Sequence, residues 1–281
     1  MQQPIQGGEA AFPQSNDNLH RIRVWGETAS GKSPKYSSSG YKSTMLSPKQ
    51  QIHSLLWWYR LVSGSTRPKE LPHLTSLLSP NDLAFDVGAH AGAWAYPLSR
   101  LMRRVYAFEA LPYYAQVLTS ALKLAGAGNV TVVNNAVSNR PGTVSMVWRA
   151  PSGARLTGLT HVASSGEAVE NTVAVESIAL DDFIRARDLA EERVGLIKCD
   201  VEGYECNVIE GAAQAIRKWR PVVFAEVQNS TLCRYGKSSS DLIKLMESFA
   251  YAATGFLRDG SQRPVDTVSY TGEGDILFCP K

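Results

Sequence analysis

The residues best suited to chemistry follow apolar runs that read as strands. The run Leu83–Val87 carries Asp86 near its end and opens directly into Gly88-Ala89-His90-Ala91-Gly92. Glycines at such a turn let the backbone bend sharply and admit a ligand close to the main chain. The GxxxG spacing omits the middle glycine that lets a pyrophosphate approach. A carboxylate at Asp86 would repel a pyrophosphate but attract an ammonium or a sulfonium. The alternative for Asp86 is a turn or helix-capping role.

A second run ends at Glu109, about 20 positions beyond the glycine turn, where an acidic residue binds ribose hydroxyls in nucleotide-binding α/β folds. Asn135-Ala136-Val137 follows a third run, where an adenine edge would lie. A later run leads into Asp200-Val201-Glu202-Gly203-Tyr204-Glu205. In extended backbone, residues two apart point to one side, so Asp200 and Glu202 are expected to work together. They could accept a proton from a substrate hydroxyl, hold a divalent cation or complement a cationic cofactor. Either could instead cap the following helix, a role that suits Glu205 better. Glu226, at the end of the next run, is a further acid. His90 and His161 are alternative bases, because imidazole titrates near neutrality.

Strands and helices alternate from Leu83 onward, the pattern of a largely parallel sheet covered on both faces. Strands are expected near Leu83–Val87, Val105–Phe108, Val130–Val133, Leu196–Cys199, Val222–Val227 and Ile276–Cys279. Helices are expected near Ala91–Met102, Tyr113–Leu124, Asn207–Arg217 and Ser239–Phe249. Gly142–Trp148 and Thr172–Val175 read as a hairpin. The Gly-, Ser-, Ala- and Thr-rich stretch Arg149–Glu170 between them has the length of a functional loop. Three units follow: a polar leader over 1–45 with little to bury, a helical extension over 46–80, and an α/β domain over 81–281 with an insertion near 142–175. Ser47-Pro48-Lys49-Gln50 reads as a capping box with proline at the first helical position. Behind it, Ile52, Leu55, Leu56, Tyr59 and Val62 recur at helical spacing and form an apolar face. Trp57 and Trp58 widen that face as packing residues.

The chain has 281 residues, a net charge of +3 and four cysteines. Residues 1–80 hold nine Lys and Arg against four Asp and Glu, a basic front end that could meet a phosphate-bearing partner. No CxxC pair or Cys/His spacing suggests a metal centre. The polar N-terminus and the absence of a long apolar run lead to the expectation of a cytoplasmic protein without a membrane partner.

Taken in order, Asp86-Val87-Gly88-Ala89-His90-Ala91-Gly92, Tyr106-Ala107-Phe108-Glu109-Ala110-Leu111-Pro112, Val175–Phe183 and Ile197–Glu205 resemble the FkbM family of methyltransferases. The resemblance covers about two-thirds of the chain. It implies a Rossmann-like class I methyltransferase fold with a mostly parallel seven-stranded sheet, and S-adenosylmethionine as methyl donor. It also implies a hydroxyl acceptor on a sugar, polyketide or other small molecule. Asp86, Gly88 and Gly92 match the cofactor loop, with Ala89 and His90 between them. Glu109 with Ala110 matches the ribose ligand, and Asp200, Glu202 and Gly203 match the acidic motif. His90 stands where the family often has asparagine, which opens a role for it at the reacting centre. Asn135, Ala136 and Asp200 complete the expected cofactor contacts; Asp200, Glu202 and His90 are the catalytic candidates. No metal ligands are assigned, although the carboxylates could take a divalent cation. The competing functions are a nucleotide-dependent oxidoreductase and a non-catalytic or nucleic-acid-directed binding protein on the same scaffold; nucleic acid is not the favoured partner.

Overall fold

The computed structural model describes residues 24–25, 45–150, 152, 158–164, 169–256, 262–265, 270 and 273–281. The expected leader lies outside the described residues apart from 24–25 and 45, as does part of the loop over 149–170. The elements in chain order are β1 (Val24–Trp25), α1 (Pro48–Ser63), α2 (Leu71–Leu74), β2 (Leu83–Val87), α3 (Ala95–Ser99), β3 (Arg104–Phe108), α4 (Pro112–Leu124), β4 (Val130–Val133), β5 (Ala136–Val137), β6 (Gly142–Val147), β7 (His161–Val162) and β8 (Thr172–Ile178). They continue with α5 (Leu180–Ala186), β9 (Val194–Cys199), α6 (Glu205–Glu210), α7 (Ala213–Trp219), β10 (Val222–Gln228), α8 (Asn229–Leu232), α9 (Ser239–Ser248), β11 (Tyr251–Phe256), β12 (Gln262–Val265) and β13 (Glu273–Pro280).

The fold is α/β, with a nine-stranded main sheet in the order β1-β4-β3-β2-β9-β10-β13-β11-β12. β4, β3, β2, β9 and β10 are parallel neighbours, whereas β13 runs antiparallel to both β10 and β11. The expected seven-stranded sheet is therefore enlarged, by β1 at one edge and β12 at the other. Side chains alternate across the pleat and build a core on each face. Leu83, Phe85, Val87, Ile197 and Cys199 join the layer formed with α5, α6, α7 and α9. Ala84, Val105, Ala107, Val130, Val132 and Leu196 join the layer formed with α1, α3 and α4. The hairpin expected in the insertion forms from β6 and β8. With β5 and β7 it makes a separate four-stranded sheet.

Three local expectations are corrected. The helix expected over Ala91–Met102 is confined to α3. Pro97 cannot donate to a helical ladder and is tolerated only in a first turn, so the helix begins at Ala95, two residues before it. The single helix expected over Asn207–Arg217 is broken into α6 and α7. A Cβ at Gly211 would lie 2.1 Å from the Ser138 carbonyl oxygen. The Asp181 carboxylate accepts from Gln214 N at 2.8 Å and Ala215 N at 2.9 Å, starting a new helix there.

The third correction concerns α1. Its Ser47 capping box forms as expected, but Ile52, Leu55, Leu56, Tyr59 and Val62 face away from the protein. The inward face carries Gln50, Ser54 and Leu61, with Trp57 and Trp58 half-buried beside them. Polar groups there are satisfied locally: Gln50 donates to the Gln116 side chain on α4, and Ser54 Oγ donates to Gln50 O at 2.8 Å.

Candidate active site

In an open α/β sheet, ligands bind beyond the carboxyl ends of the strands, and a cavity partly open to solvent lies there. Its walls come from the loop after β2 (Gly88, His90), the exit of β3 (Glu109, Ala110), the segment after β4 (Asn135, Ala136) and the exit of β9 (Asp200, Glu202). The insertion supplies Met146, Thr160 and Val162. Sequence spacing therefore brought eight of its candidates to one cavity. Asp86, Ala89 and Gly92 are not on the wall.

Asp86 points toward the layer that contains α3 and has no exposed surface. It stands opposite Lys198 in the parallel register of β2 and β9. Lys198 Nζ lies 3.3 Å from Asp86 Oδ1 and 3.4 Å from Asp200 Oδ2, and it donates to Gly88 O at 3.0 Å. Burial opposes the Lys198 charge, but Asp200 and Asp86 outweigh it and raise its pKa above the ordinary lysine value. Burial pushes Asp86 upward, and Lys198 pulls it back. The Ala95 backbone N–H, at the start of α3, also partners the Asp86 carboxylate and helps to pull it back. Lys198 had no role in the sequence motif. The available signal was a lone cation inside an apolar, fully buried strand, which requires carboxylate partners.

The two glycines of the loop have different tasks. Gly88 has φ 76°, and a Cβ there would fall 1.8 Å from Asp200 O, so its bareness lets the β9 exit approach the loop. Gly92 has φ 90° and accommodates the Leu118 side chain of α4. Its contribution is packing behind the loop.

Glu109 accepts from His90 N at 3.0 Å and Leu111 N at 2.9 Å. Burial nevertheless pushes its pKa up to about 7. Each oxygen retains a lone pair for a hydroxyl donor. His90 has φ 44° and sits between Trp57 and Tyr114, at ring-centroid distances of 5.5 Å and 5.0 Å. Burial and the nearby Lys198 lower its pKa, which keeps the ring neutral at pH 7. Its Nε2 is buried without a hydrogen-bond partner. The contact between the N-terminal extension and the loop, through Trp57, was not visible in the sequence.

Asp200 and Glu202 do meet, but for a different reason from the one expected. β9 ends at Cys199, and Glu202 adopts φ 56°, so a turn rather than an extended pleat juxtaposes them. Glu205 Oε1 holds that turn by accepting from Val201 N at 3.2 Å and Gly203 N at 3.1 Å. Glu226 joins from β10: one carboxylate oxygen from each of Asp200, Glu202 and Glu226 lies within 4.8 Å of the others. Burial, then the negative charge of Asp200, pushes Glu226 up to about 8. Asp275, opposite Glu226 in the β10–β13 register, is raised to about 6 by burial, with Glu70 and Asp200 adding to the rise. Such a group can accept or share protons near neutral pH, and its oxygen donors are of the kind a divalent cation takes. Burial, then the negative charge of Asp200, raises the Glu202 pKa, and Arg234 and His161 offset part of the rise. His161 is itself buried, its Nδ1 3.0 Å from Leu159 O.

The model of the methyltransferase FkbM domain matches residues 86–252. No curated protein sequence matches the chain. Among solved structures, the chain is similar to methyltransferase FkbM from Methylobacillus flagellatus KT, at 15% identity and a TM-score of 0.45. That match covers 83% of this chain but 58% of the Methylobacillus protein, so the chain spans less than two thirds of that protein's length. The Streptococcus mutans protein SMU.1697c, solved in complex with SAH, is 13% identical with a TM-score of 0.44, covering 76% of this chain and 97% of that one.

Proposed function

The chain belongs to the FkbM methyltransferase family, and from that membership we propose that it moves a methyl group from S-adenosylmethionine to a hydroxyl oxygen of a small molecule, a sugar or another natural product. One observation carries the proposal: a single cavity has Glu109 at one wall and the Asp200–Glu202 pair at another. The first suits a ribose diol, and the second suits positive charge and a hydroxyl proton.

The residues present fit the donor. Phe108, Val137 and Met146 provide apolar wall against which a flat base can lie. Glu109, Asp200 and Glu202 line the wall with carboxylates, which suit a cationic sulfonium. The same carboxylates would oppose a pyrophosphate. When bound, S-adenosylmethionine supplies an electrophilic methyl group on a positively charged sulfur. Glu109, Ala110, Asn135, Ala136, Gly88 and His90 would hold it.

The chain's own work is orientation and proton management. Walls on several sides restrict an acceptor's approach, so positioning lowers the barrier. A neutral aliphatic hydroxyl is a poor nucleophile, and Asp200 or Glu202 can take its proton as the new bond forms. Glu226, raised toward neutrality, can relay or hold that proton within the cluster.

The test supplies the purified protein with methyl-tritiated S-adenosylmethionine and a panel of sugars and hydroxylated small molecules, then locates the label in the product by NMR. An O-methyl product is expected. A methyl group on nitrogen or carbon would overturn the hydroxyl assignment.

A further inference from the structure

Helix α1 presents its apolar side to solvent along its whole length. Ile52, Leu55, Leu56, Tyr59 and Val62 are 58%, 53%, 54%, 63% and 45% exposed. Their spacing places them on one face, opposite the inward Gln50, Ser54 and Leu61. Met45, just before the helix, is 95% exposed. A contiguous apolar strip of this kind marks an interaction site when polar residues border it.

The border here is basic. Lys49 and Arg60, eleven positions apart, fall on the same flank of the strip. Both are exposed, as are Arg67 and Lys69 after the helix. The helix carries no acidic residue. The segment 1–80 as a whole holds nine basic against four acidic residues. From this combination we propose that α1 lies flat on an anionic lipid surface, its apolar strip among the acyl chains and Lys49 and Arg60 at the headgroups. An apolar face with flanking cations and an aromatic residue is the design of interfacial helices, and juxtaposed basic residues are drawn to anionic leaflets.

Charge selects this occupant over the others. A second copy seated on the strip would bring basic flank against basic flank, with no carboxylate on the helix to pair them. Nucleic acid would engage the cations but leave the apolar strip in water. The docking is peripheral, and no helix among the described residues is long and apolar enough to cross a membrane. It departs from the expectation of no membrane partner, which rested on the absence of an apolar run long enough to span a bilayer and did not consider a helix lying on its surface.

The test is co-sedimentation of the full chain with vesicles of phosphatidylcholine alone and of phosphatidylcholine mixed with phosphatidylglycerol. Binding to the mixed vesicles and little to the neutral ones is expected. The combined variant Leu55→Ser, Leu56→Ser, Tyr59→Ser should bind at least about tenfold more weakly. Lys49→Glu and Arg60→Glu should each cost about fivefold. All these side chains are exposed, so melting temperatures near wild type will show that folding is intact. The proposal is overturned by failure of the wild type to sediment with the anionic vesicles, or by undiminished sedimentation of the triple variant. It is also overturned by a lipid-free dimer that the same three substitutions dissolve, or by RNA binding that they leave unchanged while vesicle binding is absent.

Discussion

Lys198 and Asp86 face each other across β9 and β2, with Nζ 3.3 Å from Oδ1 in a place neither shares with water. The same ammonium reaches Asp200 and the Gly88 carbonyl. One buried cation thus ties the loop after β2 to the acidic turn after β9. Its loss should act on stability first and on ligand binding second.

Lys198→Met would leave Asp86 buried without its partner, which costs about 3–5 kcal/mol. Denaturant unfolding monitored by circular dichroism checks this. Adding Asp86→Asn should restore part of the loss, because the second change removes the uncompensated charge. Additive losses in the double variant would show that the pair is not coupled.

Glu109 gives a pH dependence of known sign. Its pKa is raised to about 7 by burial, so below that pH it is protonated and loses an acceptor for a ribose hydroxyl. Affinity for S-adenosylhomocysteine should therefore fall by up to about tenfold per unit as pH drops below 7, and level off above 8. Calorimetric titration from about pH 5.5 to 8.5 reads the slope. Glu109→Gln should bind more weakly and lose that slope.

Within the acid cluster, Glu202→Gln should lower kcat by about 10²- to 10⁴-fold, the usual scale of a general base. Affinity for S-adenosylhomocysteine should stay within about twofold, since the substitution keeps the shape of the wall. Because Glu226 is pushed up to about 8 and acts unprotonated, kcat in the wild type should rise with pH toward that value. Glu226→Gln should move the rise. A pH profile identical to wild type would place Glu226 outside the proton path.

Gly203 has φ 103°, and a Cβ there would meet Thr231 O at 2.3 Å. Gly203→Ala should therefore cost about 2–5 kcal/mol through strain and overpacking together. Gly126 is the control: φ is 69°, and nothing lies within 4 Å of its Cβ position. Its alanine variant should cost only about 1–2 kcal/mol. Thermal unfolding of the two variants distinguishes close packing from backbone conformation alone.

What the sequence disclosed and what it hid follow a physical division. Strand runs buried on both faces, such as Val130–Val133, announce themselves because β-branched residues (three valines and Thr131) crowd a helix but pack well on a pleated sheet. The carboxylates at strand exits were legible for the same reason: the strand that delivers them was legible. Long-range hydrogen bonding was not. Asp181 caps α7 from a distant position, and no local spacing reveals that break. Proline did carry a local signal at Pro97, which limits α3 to a late start. For α1, periodicity found the apolar face but could not say which way it points, because small and polar residues such as Ser54 and Gln50 pack inward when their hydrogen bonds are met. Lys198 was hidden because its partners come from β2 and the β9 exit, and the pairing exists only once the strands are in register.

The most direct test of the cofactor assignment is a calorimetric titration of the wild-type chain with S-adenosylhomocysteine and, separately, with NAD. Saturable one-site binding of S-adenosylhomocysteine is expected, weakened at least about tenfold in Glu109→Ala, with no heat from NAD. Tight NAD binding and no response to S-adenosylhomocysteine would contradict it.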